Sequence, residues 1–112
     1  MGYRRGYANI DEKSTNAGEW YLERTTAVGV YGHAASAEGV LDLSGNVWEW
    51  CLNKYDDPDQ VAPDTSGDSR VVRGGAWTNG PVNARGSQRF RGRPDYRLYG
   101  GGFRLVSSAP IA

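Results

Sequence analysis

Residues 41 to 50 read Leu-Asp-Leu-Ser-Gly-Asn-Val-Trp-Glu-Trp; Arg73-Gly74-Gly75-Ala76-Trp77 and then Gly102-Phe103-Arg104-Leu105 follow. In all three, large apolar side chains come in runs of a few residues that break at glycine or at a Ser-Gly-Asn turn. Runs that short do not sustain a helix of several turns, and Val47-Trp48-Glu49-Trp50-Cys51-Leu52 fits a strand instead. The chain is therefore constrained to short strands, tight turns and long connections. Sixteen glycines and four tryptophans in 112 residues agree with that reading. Each indole can bury on the order of 200 Å2, so a few aromatic anchors argue against disorder despite a mean hydropathy of −0.64.

The length predicts one domain, residues 1–112, of α+β class: compact and loop-rich, with short strands and one or two short helices. Residues 1–24 read as irregular and polar, and Thr25–Tyr31 as a short strand or extended segment. Residues 56–69, with five aspartates, Pro58, Pro63 and Gly67, read as a surface loop. Arg70–Arg73 is a strand that stops at Gly74-Gly75, and Gly102–Val106 is a closing strand. Between them, residues 78–101 have neither period, with a short helix expected in 80–92. So long an irregular stretch inside a compact domain is usually functional or disordered. Trp77 before it and Phe103 after it are expected to anchor its ends, which favours function.

A net charge of zero hides a split: residues 1–69 hold 12 acidic and five basic side chains, whereas residues 70–112 hold eight arginines and Asp95 alone. A cationic half can serve nucleic acid or an acidic partner. Alternatively, the arginines pair with the acidic half or stack on aromatic rings, the roles to which Arg is suited; Arg104 or a neighbour is expected to do so. Cys51 is single, so no internal disulfide forms, and it reads as a small buried apolar residue. Met1-Gly2-Tyr3-Arg4-Arg5 lacks the apolar run of a signal peptide, and no stretch has the length of a transmembrane helix. Localisation is not legible.

The three motifs together, in this order, resemble the formylglycine-generating-enzyme-like (sulfatase-modifying-factor) group of C-type lectin folds. More narrowly, the chain resembles the variable proteins of diversity-generating retroelements. The enzyme branch of that resemblance implies two redox-active cysteines after the Gly-Gly pair that handle copper and oxygen. Aligned on Gly74-Gly75, those positions fall near Asn79 and Ala84, neither of which supplies a thiolate. Cys51 lies outside that loop, and His33 is the only histidine, so no Ser-His-Asp set assembles. No catalytic residue and no copper are expected.

The retroelement branch implies a fixed scaffold with diversified side chains between. Arg73, Gly74, Gly75, Trp77, Arg85, Arg89, Pro94, Arg97, Gly102, Phe103 and Arg104 match the scaffold. In that family, adenine-directed mutation of Asn codons generates the residues in between. Thr78, Gly80, Val82, Phe90, Tyr96, Leu98, Tyr99 and Gly100 fall in the accessible set, with Asn79 an unchanged template residue. Independently of family, Phe90, Tyr96, Leu98 and Tyr99 beside Arg91 and Arg93 compose the aromatic-plus-arginine chemistry of binding hot spots. The plainer alternative is that these aromatics pack the loop onto the domain.

The resemblance also implies calcium. One candidate set is the Asp42 and Glu49 side chains with the Gly45 and Val47 carbonyls, oxygens that suit a hard cation; a weaker set is Asn9, the Ile10 carbonyl, Glu19 and the Tyr21 carbonyl. Against the first stands the alternative that Glu49 pairs with an arginine and Asp42 caps a turn. The expected function is non-enzymatic recognition of a macromolecular ligand, protein rather than nucleic acid, by residues 77–101. A degenerate or truncated formylglycine-generating-type oxidase is the alternative. A carbohydrate-binding lectin module is disfavoured, because no Glu-Pro-Asn or Gln-Pro-Asp triplet occurs.

Overall fold

A computed structural model describes residues 3–60, 62 and 65–108. It is an α+β arrangement around one mixed sheet of β1 (Trp48–Lys54), β2 (Arg70–Arg73), β3 (Phe90–Gly92) and β4 (Gly101–Gly102). The order is β3-β2-β1-β4. β2 runs antiparallel to β1, with Trp50 opposite Val72, and antiparallel to β3, with Val72 opposite Phe90; β4 is parallel to β1. A 3-10 turn at Gly32–Ala34 and one turn of helix, α1 (Pro81–Ala84), complete the regular structure. Pro81 at the first turn starts α1, where its missing N–H costs nothing.

β1 and β2 form where the sequence places them, and the helix lies in the expected window. Thr25–Tyr31 forms no strand: its backbone is held by side chains instead, Thr26 by Asn46 and Gly29 by Asp42, and it runs into the 3-10 turn. The closing strand shortens to Gly101–Gly102, and Phe103, Leu105 and Val106 stand exposed at 75, 81 and 90%. Phe103 therefore does not anchor the loop, while Trp77 is half-buried, with its ring 6.4 Å from Tyr21 and 5.8 Å from Tyr99. β3 was not legible, because Phe90-Arg91-Gly92 has no alternation of its own and is a strand only through β2. Pro63 of the acidic loop lies outside the described residues.

The centre of the molecule is Val71 and Val72 on β2 with Ala76, Ala84, Ala8 and Ile10. The N-terminal segment, legible only as an irregular polar stretch, supplies its most buried part: residues 8–12 are all buried. Glu12, fully buried, accepts hydrogen bonds from the Tyr3 hydroxyl (2.5 Å), the Gly6 amide (2.5 Å) and the Trp20 amide (3.1 Å). Three donors offset the desolvation of its carboxylate, which is how a polar segment can be core. The Ser44-Gly45-Asn46 turn fastens this segment to the sheet. Asn46 donates its amide N–H to Asn9 O at 2.9 Å and accepts from Trp77 N at 3.0 Å. Gly45 has φ +80° and a Cβ there would lie 2.7 Å from Asn9 O, so the approach requires glycine.

Candidate ligand-binding face

β3 and the loop after it, residues 93–100, bring four of the expected contact residues to one face of the sheet, across β1 to β3, where Asn79 joins them as a fifth. Asn79, Phe90, Arg91, Leu98 and Tyr99 converge around a shallow cavity of about 300 Å3, together with Trp48, Val72 and Asn83. Register explains the meeting: Phe90 lies opposite Val72, and Trp48 of β1 pairs with Gly101 of β4 just past Leu98 and Tyr99. The Trp48 and Phe90 rings meet edge to face at 5.2 Å, a favoured aromatic geometry. Phe90 remains 44% exposed and Tyr99 78%, so the rings reach the cavity and solvent at once. Trp48, Val72 and Asn83 were missed as site residues; Trp48 belonged to a motif that reads as scaffold.

Other expected contact residues lie elsewhere. Val82, on α1, faces a separate cleft with Tyr3 and Arg85. Arg93 ion-pairs with Asp95 at 3.0 Å and its guanidinium lies 4.6 Å from the Tyr96 ring centre; the pair stands at the acidic cleft of Asp56, Asp57 and Asp68. Thr78 and Gly80 are half-buried, and a substituent at Gly80 would press on the Thr15 side chain. Gly100 is not a position for a variable side chain: its φ is +74°, and a Cβ there would lie 2.9 Å from the Ala76 Cβ. Its carbonyl instead accepts from Trp48 N at 2.7 Å, holding the loop to β1. Asn79 likewise is partly a turn residue, its Oδ1 accepting from Ala76 N and its carbonyl from Asp11 N.

Most arginines of the C-terminal half hold partners within the chain while staying exposed. Arg104 forks onto both Glu49 carboxylate oxygens and donates to the Leu41 and Asp42 carbonyls at 2.8 and 2.9 Å. Arg91 pairs with Asp56 at 3.2 Å and stacks on Tyr55 at 4.5 Å from the ring centre; Arg89 covers the same ring at 4.1 Å. Arg73 and Arg85 donate to the Gly86 and Val82 carbonyls.

These contacts bear on calcium. In the first set, Glu49 is held by Arg104, and one Asp42 oxygen accepts from Gly29 N at 2.9 Å, so a guanidinium stands where the cation would sit. In the second set, Asn9 is 2% exposed and its Oδ1 lacks a partner, while its Nδ2 donates to Arg24 O and Asn46 Oδ1. An orphaned buried oxygen fits a cation ligand there. Ile10 adjoins it, and the 19–21 strand of chain lies alongside through Glu12 N to Trp20 O at 3.0 Å. Among the described residues no three His, Cys, Asp or Glu side chains are grouped to hold a metal, which both sets, relying on carbonyls, would not require.

Cys51 is half-buried, and burial pushes its thiol above the ordinary value, opposed by the charge of Arg73. A protonated thiol is a poor nucleophile and ligand. No described helix is long and apolar enough to cross a membrane.

Comparison with known proteins agrees with this picture of motif and scaffold. The sulfatase-modifying factor enzyme 1-like domain matches residues 3–109. An inactive C-alpha-formylglycine-generating enzyme 2 from Bos taurus is 40% identical over 76 residues, covering 63% of this chain and 23% of that protein. A hercynine oxygenase from Mycobacterium tuberculosis is 35% identical over 120 residues, 94% of this chain and 28% of the relative. A serine/threonine-protein kinase Pkn1 from Chlamydia trachomatis is 30% identical over 97 residues, 79% of this chain and 16% of the relative. The chain thus spans between 16 and 28% of the length of these relatives. It belongs to the sulfatase-modifying factor enzyme 1-like (FGE-sulfatase) family.

Proposed function

We propose that this chain is a non-catalytic member of its family that binds a protein ligand through the Phe90, Leu98 and Tyr99 face, on a scaffold of C-type lectin type. The observation that carries this is the convergence of those residues with Trp48 around one open cavity, with Phe90 and Tyr99 still exposed to solvent. Tyr and Phe on a fixed face give contact area with few rotors to immobilise. The finer reading is a variable protein of a diversity-generating retroelement, supported by the placement of Phe90, Tyr96 and Tyr99 outside the core. Similarity to a protein named inactive supports the absence of chemistry, while similarity to an oxygenase keeps the oxidase alternative in play.

Two experiments separate these readings. Panning a displayed peptide library is expected to yield binders that the Phe90→Ser/Tyr99→Ser protein loses; binders that ignore both changes would place recognition elsewhere. The purified protein, given copper and oxygen, is expected not to oxidise the cysteine of sulfatase-type peptides; turnover that survives Cys51→Ser would overturn the non-catalytic reading. For the finer claim, the adjoining DNA should hold a reverse transcriptase gene and a template repeat differing from this reading frame only at adenines.

Calcium is a secondary proposal at Asn9, Ile10, Glu19 and Tyr21, supported by the orphaned Asn9 Oδ1. Added calcium should raise the melting temperature of the protein and leave that of Asn9→Ala unmoved.

A further inference from the structure

A large cleft lies away from the proposed binding face, on the side formed by the N-terminal segment and the 3-10 turn. It measures about 700 Å3 and is lined by Tyr3, Tyr7, Tyr31, His33 and Asp42, with Arg4 at its rim. The Tyr7 and His33 rings meet edge to face at 4.6 Å, and Tyr31 stands 6.4 Å from His33. Three aromatic rings thus wall one cleft, two of them tyrosines whose hydroxyls take no hydrogen bond from the described residues. His33 Nε2 lies 3.2 Å from the Gly6 carbonyl and donates to it, so that only in the neutral ring is Nδ1 an acceptor. Asp42 Oδ2 accepts from Gly29 N at 2.9 Å, and its Oδ1 is left without a donor among the described residues.

Charge around the cleft is negative at the floor and positive at the rim. Glu12, fully buried, lies behind Tyr3, and Asp42 lies beside the rings. Tyr31 reports that field: burial, then the charges of Glu12 and Asp42, raise its phenol above the ordinary value. Arg4 already places its guanidinium 5.9 Å from the Tyr7 ring centre, near the outer limit of a cation–π contact.

We propose that this cleft is a binding site for a small organic cation of the primary-amine class, an ammonium on an apolar or aromatic stem. The ammonium donates to Asp42 Oδ1 and His33 Nδ1, both acceptors, and the stem lies against Tyr7 and Tyr31. An N–H-bearing cation satisfies both acceptors, which a quaternary ammonium leaves dry and unpaired. The site is separate from the Phe90 and Tyr99 face, so it stands whatever becomes of that reading.

The test is an amide chemical-shift titration of the whole chain with benzylamine, set against benzyl alcohol as the neutral isostere. Benzylamine should give saturable shifts at Tyr7, Tyr31 and His33, with the alcohol at least about tenfold weaker. Asp42→Asn is the decisive variant. Asp42 sits at φ 57°, which Asn tolerates, and the Asn oxygen still accepts from Gly29 N; the amide NH2 then stands in place of Oδ1, so both the charge and the acceptor offered to the ammonium are lost. It should weaken benzylamine about tenfold and the alcohol by no more than about threefold. Arg4→Gln, which removes the competing rim cation, should tighten benzylamine about threefold. The proposal is overturned if the alcohol binds as well as the amine, if the shifts map to the Asp56–Asp68 cleft, or if Arg4→Gln weakens binding.

Discussion

At Arg104 the guanidinium touches four acceptors: both oxygens of Glu49 and the carbonyls of Leu41 and Asp42. The neighbouring carboxylate raises the arginine's own pKa, so it stays charged at any pH at which the protein folds. Only a planar fork meets four acceptors on two sides. Arg104→Lys, which keeps the charge, should therefore destabilise nearly as much as Arg104→Ala, by about 1–3 kcal/mol in denaturant melts; full rescue by lysine would reduce the contact to simple charge. That an arginine would pair with the acidic half was legible from composition; which one, and that it would take the carboxylate of a calcium set, was not, because Arg104 and Glu49 are 55 residues apart in the chain. Tyr3 gives a pH test. Burial first, then its hydrogen bond to Glu12, raise its phenol above 10.0, so the folded state holds the proton that the unfolded chain releases. Its stabilisation is complete below about pH 10 and is lost as pH rises beyond. Between pH 10 and 11.5 the wild type should lose stability faster than Tyr3→Phe; parallel losses would contradict the pairing.

Elements were legible in proportion to how locally they are determined. β1 and β2 carry their apolar residues in sequence and stop at turns, so both could be placed. β3 and β4, of three and two residues, exist only as neighbours of β2 and β1. Segment 8–12 misled for another reason: Asn9, Asp11 and Glu12 look solvated, but tertiary donors satisfy Glu12 and allow burial. The same logic reverses the role of Phe103, whose apolar side chain looked like an anchor and stands 75% exposed beyond β4. Phe103→Ala should change stability by no more than about 0.5 kcal/mol. Ile10→Ala, within the polar-looking segment, should cost about 2–5 kcal/mol. Gly100→Ala should also be costly, about 1–3 kcal/mol, from positive φ and the approach to Ala76. Urea titrations of the three rank them, and a Phe103→Ala loss as large as that of Ile10→Ala would contradict this placement of the core.

Across the whole molecule, the buried core and the exposed aromatic surface are largely different residues, with Val72 touching both. The core is small and aliphatic, centred on Ile10, Val71 and Val72, while much of the aromatic surface is gathered on the sheet face around Trp48 and Phe90 and in the Tyr7–Tyr31 cleft. The site itself was half legible: the side chains of Phe90, Leu98 and Tyr99 were named from their chemistry, but their partner Trp48 was not, since only the register of β1 with β4 sets them side by side. The most direct measurement is a thermal and urea melt of Phe90→Ser/Tyr96→Ser/Tyr99→Ser beside Ile10→Ala. The account predicts a triple variant that loses no more than about 1.5 kcal/mol, mostly the Trp48 contact of Phe90, and an Ile10→Ala protein that loses more. A triple variant that unfolds while Ile10→Ala melts like the wild type would make the aromatic cluster the core and remove the basis for a binding face.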